Sequence, residues 1–152
     1  MITLVHIEKN DASKLLQMQK TAFSRLLHKY RDYDTSPACE SSDRIAEKIT
    51  SSDFWYIKSD DITVGAVRIV NKGGSCRVSP VFILPEYRGH NYALKAMTIA
   101  ETMYPNARKW ELDTIMQEEY LVNIYKKAGY VLTGEQYDIK PGMTIVFMEK
   151  YI

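Results

Sequence analysis

The residues whose types and spacing could do chemistry cluster between Val81 and Ala100, VFILPEYRGHNYALKAMTIA. An apolar, strand-like run (Val81 to Leu84) meets a proline and a polar turn (Pro85 to Asn91). A segment with helical spacing (Ala93, Ala96, Met97, Ala100) follows at once. A helix that begins directly after such a loop presents backbone N–H groups with no partner, and its dipole adds partial positive charge there. Such a terminus favours anions, phosphate above all. A phosphate-bearing ligand is therefore the first expectation.

The other groups with chemical potential are acids and histidines. The segment RDYDTSPACESSD (Arg31 to Asp43) carries Asp32, Asp34, Glu40 and Asp43 against Arg31. It is either a solvated surface loop or a substrate lip that attracts a cationic amine. His28, near the end of the preceding helix, borders that lip. His6 closes the first strand and His90 lies in the polar turn, positions that speak against a proton-transfer role for either. No Gly-x-Ser-x-Gly elbow is present, and the lysine-bearing phosphate loop of nucleotide triphosphatases is absent.

Positioning these groups falls to a chain of 152 residues with 45% hydrophobic and 26% charged residues, which suits one globular domain over 1–152. A formal net charge of +1 gives no basic field for nucleic acid. The two cysteines, Cys39 and Cys76, match no metal-ligand spacing and read as free thiols of a reducing compartment. The N-terminal stretch MITLVHIEKND has no signal-peptide pattern, so a cytoplasmic chain, without metal or membrane attachment, is expected.

Periodicity gives the elements. Alternation predicts a strand over Ile2 to Ile7, and apolar residues every three or four positions predict a long amphipathic helix from Ala12 to about Tyr30. A short helix from Asp43 to about Thr50, capped by Ser42 or Asp43, comes next. Two strands (Phe54 to Ser59, Ile62 to Val70) flank Asp60-Asp61, and a third covers Ser75 to Leu84, with Cys76, Val78, Pro80, Phe82 and Leu84 on one side. Pro80 cannot donate to a ladder and signals an edge, a bulge or an opening of the sheet. After the helix that follows the loop come the strand Trp110 to Ile115, a helix Glu118 to Ala128 ended by Gly129, and the strands Tyr130 to Asp138 and Met143 to Tyr151. The order β α α β β β α β α β β implies an α+β, three-layer fold: a mixed, mostly antiparallel sheet of about seven strands with about four helices on its two faces.

This order, with three local stretches, resembles the GCN5-related N-acetyltransferase superfamily. Arg88-Gly89-His90-Asn91-Tyr92-Ala93 is similar to its acetyl-CoA loop, with Asn91 where glycine is usual; Asn is the non-glycine residue most at ease at positive φ. Trp110 to Thr114 is similar to its fifth strand, and Ile124-Tyr125-Lys126-Lys127-Ala128-Gly129-Tyr130 to the end of its fourth helix. The resemblance implies acetyl-CoA as co-substrate, with pyrophosphate on the N–H groups of Gly89 to Ala93 and pantetheine along Val81, Phe82 and Ile83. It also implies Tyr125 as general acid and Asp113 as the position of a base, with Glu111 beside it. His28, Asp34, Glu40 and Glu111 are the candidate acceptor contacts. Glu118 stands where the family often has a coenzyme-contacting Asn and is not carried over. The implied activity is acetyl transfer to a primary amine of a small molecule or peptide by a monomer or homodimer. The alternative is a non-catalytic acyl-CoA-binding regulatory module of the same fold.

Overall fold

Helical spacing in the sequence becomes helix α1 (Ala12–Tyr30), which buries Leu15, Met18 and Ala22 and ends where Arg31 turns left-handed at φ 54°. The computed structural model describes residues 1–152. Helix α2 (Ser42–Ser51) starts one residue earlier than its sequence suggests: the hydroxyl of Ser41 accepts the Arg44 N–H at 3.1 Å and is the cap. Helices α3 (Tyr92–Met103) and α4 (Glu119–Lys127) follow the fourth and fifth strands.

The strands β1 (Ile2–His6), β2 (Asp53–Ser59), β3 (Ile62–Asn71), β4 (Ser75–Ile83), β5 (Lys109–Ile115), β6 (Val131–Lys140) and β7 (Met143–Tyr151) form one seven-stranded sheet in the order β1-β2-β3-β4-β5-β7-β6. Every neighbouring pair is antiparallel except β4 and β5. Two apolar cores cover its faces. One joins α1 and α2 to Phe54, Tyr56, Ala66 and Phe82; the other joins α3 and α4 to Ile69, Cys76, Trp110 and Met148. The α+β three-layer architecture read from the sequence is the observed one.

A change of phase in β4 matters most for the site. Its ladder with β3 runs Val67 opposite Val81 but Ile69 opposite Val78, so β4 carries an extra residue at Ser79-Pro80, a peptide that is cis. Past this bulge the side chains change face: Cys76, Val78 and Ile83 pack in the α3 core, whereas Phe82 packs in the α1 core. Strict alternation from Cys76 to Leu84 therefore fails at Pro80, which has no N–H to give a regular ladder. Close packing of β3 on β4 follows at Gly65, where a Cβ would stand 2.0 Å from the Phe82 carbonyl oxygen.

β4 and β5 pair only through Ser75, Cys76 and Arg77 with Lys109, Trp110 and Glu111. Beyond these residues the strands separate while β5 keeps its ladder to β7 as far as Ile115. A gap thus opens in mid-sheet, and helices α3 and α4 both begin at its open end.

Candidate active site

The gap is one wall of a cavity of about 690 Å³. At its β4 bank, the loop Leu84 to Asn91 turns into α3. Pro85–Tyr87 make a single 3-10 turn, Gly89 has φ 89° and Asn91 has φ 59°. Asn91 thus takes the left-handed conformation that glycine usually supplies, at the residue that precedes the helix. The N–H groups of Gly89, His90 and Asn91 have no hydrogen-bond partner, and those of Tyr92 to Leu94 belong to the first helical turn, which has no carbonyl to reach. Nothing lies within 4 Å of where a Gly89 Cβ would stand, so the loop faces open space. A row of free donors at a helix start, facing an open concavity, is an anion cradle. The His90 side chain is turned away: its Nδ1 meets the Tyr87 carbonyl at 3.1 Å and its ring stacks on Tyr92.

Arg88 holds this loop in place. Its guanidinium donates to the carbonyls of Ile83 (3.1 Å) and Ala22 on α1 (2.8 Å). Just past the end of β4, the Leu84 N–H donates to the Val64 carbonyl. The alternation of an antiparallel ladder then turns the backbone groups of Phe82 toward β3 and those of Val81 and Ile83 toward the gap. Of the three β4 residues expected to meet a pantetheine arm, Val81 and Ile83 offer backbone there, and Phe82 offers only its ring to the cavity wall.

The β5 bank supplies Asp113 and, from α4, Tyr125, both on the cavity. The Tyr125 hydroxyl has no hydrogen-bond partner in the protein, and burial, with the negative charge of Asp113 nearby, pushes its pKa well above the usual phenol value. It is a protonated donor at any physiological pH. Asp113 is in an ion pair with Arg77 of β4, at the place where the two strands part. Glu111 is outside the cavity and is paired with Lys72 at 2.7 Å, which holds its carboxyl below the usual range. Both carboxylates already face a cationic partner.

The candidates in the acidic loop and on the end of α1 are not brought together. His28 and Asp34 are exposed and off the cavity, and Glu40 is tied to Lys48 (2.7 Å) and Gln19 (3.3 Å). Asp32 alone of the loop's acids lines the cavity; it is 7% exposed and accepts from the Thr35 N–H and hydroxyl. Of the loop's acids, then, one alone is in a position to meet a ligand.

Sequence reasoning missed how α1 spans the open end of the gap. Opposite the Arg88 contact at Ala22, the side chains of Arg25 (2.8 Å), Lys29 (2.6 Å) and Tyr30 (2.5 Å) all donate to Glu118, the residue before α4. Arg25 also donates to the Tyr120 hydroxyl at 2.7 Å. Burial works to raise the Glu118 pKa, but the three donors outweigh it and bring it to about 2. A 3.6-residue period puts Arg25 and Lys29 on one helix face, which is visible in the sequence. Their partner, about ninety residues on, is not.

A family model described as an acetyltransferase (GNAT) domain matches residues 29–152. Among solved structures, the PaiA N-acetyltransferase of Thermoplasma acidophilum, in complex with coenzyme A, superposes with a TM-score of 0.77 at 14% identity, covering 100% of this chain and 99% of that one. The spermidine N-acetyltransferase of Vibrio cholerae, in complex with CoA and spermine, does so with a TM-score of 0.75 at 18% identity over 99% and 95%. An acetyltransferase of Thermus thermophilus gives 0.76 at 9% identity over 100% and 97%. At these identities the likeness is one of fold. No curated protein matches the sequence.

Proposed function

The chain belongs to the GNAT acetyltransferases, and from that premise we propose that it transfers the acetyl group of acetyl-CoA to a primary amine. The observation that carries this reading is the continuity of one cavity, which runs from the partnerless N–H groups after β4, along the edge at Val81 and the Ile83 N–H, to the unpartnered Tyr125 hydroxyl. The residues present fit the co-substrate: the N–H groups from Gly89 to Ala93 suit a pyrophosphate, and the backbone at Val81 and Ile83 suits the amides of a pantetheine arm.

In the transfer, the amine nitrogen attacks the thioester carbonyl carbon, the N–C bond forms and the C–S bond breaks. Tyr125 gives its proton to the departing sulfur, and the proton shed by the nitrogen returns the phenol through solvent. Thioester and amine become amide and thiol. With Asp113 held by Arg77, no carboxylate takes the amine's proton, so the amine enters in its neutral form. Asp113 and Arg77 serve instead to pin β5 to β4 at the root of the gap.

The experiment is calorimetric binding of acetyl-CoA followed by thiol release across an amine panel, with Tyr125→Phe. Loss of the phenolic proton should lower kcat by about 10²-fold or more while coenzyme affinity stays within about twofold. Equal turnover in the variant removes Tyr125 as the acid. The lack of a free carboxylate beside Tyr125 is the one observation that favours a non-catalytic acyl-CoA-binding regulatory module. Coenzyme binding without thiol release from any amine would establish that alternative.

A further inference from the structure

We propose that the acceptor half of this cavity is built for an amine whose reacting nitrogen is joined, through an apolar spacer, to one second cationic group that rests on Asp32. The inference rests on the acetyl-transfer reading above for which end reacts. Only two carboxylates line the cavity, Asp113 and Asp32. Asp113 has Arg77. Asp32 has no cation within ion-pair distance, although it is 7% exposed. A buried carboxylate without a counter-charge is costly, and a ligand that supplies one removes that cost. Thr35 occupies one acceptor site on each Asp32 oxygen, which leaves a lone pair on each for an ammonium.

Register sets the distance between the two ends. On β7, Phe147 stands opposite Asp113 and Met143 opposite Lys140. The Lys140 ammonium donates to the carbonyls of Tyr30 (2.7 Å) and Arg31 (3.4 Å), which places Asp32 beside the β6–β7 turn. Four residues along the strand, about 13 Å, and the two strand spacings from β5 across β7 to β6 separate the two ends, so the two nitrogens must be joined by a spacer of about eight atoms or more. The wall between them is formed by Phe147, Ile145, Met143, Tyr137 and Ile139, with no charged side chain among them. A charge in mid-spacer would find no carboxylate there to pair with.

Three amines of one length test this. Octamethylenediamine has a charge at each end, octylamine lacks the second, and spermidine places a third in the spacer. Titrated by calorimetry onto the full chain saturated with CoA, where no turnover occurs, octamethylenediamine should bind about tenfold or more tighter than either of the others. Asp32→Asn should bring it to the octylamine level. Equal affinity for octylamine, or tighter binding of spermidine, overturns the proposal in the wild-type protein alone, whatever the variant does to the loop. If the preference holds but thiol release fails with every amine, the transfer reading falls and the subsite stands; if thiol is released with spermidine preferred, the reverse holds. Should CoA not bind, the same comparison on the free chain decides the subsite.

Discussion

Lowering the pH should release α1 from the β5 bank through Glu118. Its pKa of about 2 in the fold, against the ordinary 4.5, is a depressed carboxylate pKa. The stability it contributes is therefore fully present above about pH 5 and is lost as pH falls toward 2. A shift of this size corresponds to about 3 kcal/mol, of which about 2 kcal/mol is gone by pH 3. Glu118 is 3% exposed, but its partners Arg25 and Lys29 are half-exposed, so the figure is an upper estimate. Glu118→Gln removes the titrating group while keeping its shape. Urea denaturation from pH 6 to pH 3 should show the wild type losing about 2 kcal/mol more than Glu118→Gln over that interval. Parallel curves for the two proteins would refute the assignment of the clasp to this carboxylate, since other acids titrate equally in both.

Asn91→Gly should leave acetyl-CoA affinity equal or slightly higher, because glycine enters the φ 59° conformation without the cost of a Cβ; a fall of tenfold by calorimetry would mean that the Asn91 side chain, and not the backbone, meets the coenzyme. Gly65→Ala, whose Cβ would stand 2.0 Å from the Phe82 carbonyl oxygen, should cost about 2–3 kcal/mol in thermal or urea unfolding, and a cost under about 0.5 kcal/mol would show that β3 and β4 can part there. The pH profile of kcat/KM for an acetylated amine should rise with that amine's own deprotonation and show no separate ascending limb at carboxylate pH, as no free carboxylate adjoins Tyr125. Asp113→Asn should then keep most of the activity at optimal pH; a loss of about 10³-fold with intact folding would restore Asp113 as the base.

The legible parts of the sequence are those where one local rule decides. The period of α1, the order of the elements and the span of β7 follow from spacing alone, and the positive φ of Asn91 follows from the chemistry of one side chain. Pro80 announced an irregularity, but not that the bulge there reverses the facing of every later β4 side chain, because a register shift of one residue is set by the partner strand. The caps moved by a residue for a milder reason: Ser41, Ser42 and Asp43 are all competent, and only the fold's placement of the Arg44 N–H selects Ser41.

The site was legible to the extent that its groups are backbone. The anion cradle uses N–H groups, and a strand-loop-helix sequence is enough to expose them. The acids were less legible because their number in a segment says nothing about which way each points or what neutralises it. Asp34, Glu40 and Glu111 are off the cavity, and Asp113 meets a cation thirty-six residues away. The exception is informative. Asp32 looks like any member of an acidic loop, yet the pairing of Lys140 with the α1 carboxy-terminal carbonyls carries it to the outer end of an apolar wall. Glu118 makes the complementary case: an almost fully buried acid is tolerated because Arg25, Lys29 and Tyr30 compensate it, and that compensation closes α1 across the gap. In both positions the function of a carboxylate is set by the presence or absence of a partner charge, a property of the fold that no run of neighbouring residues encodes.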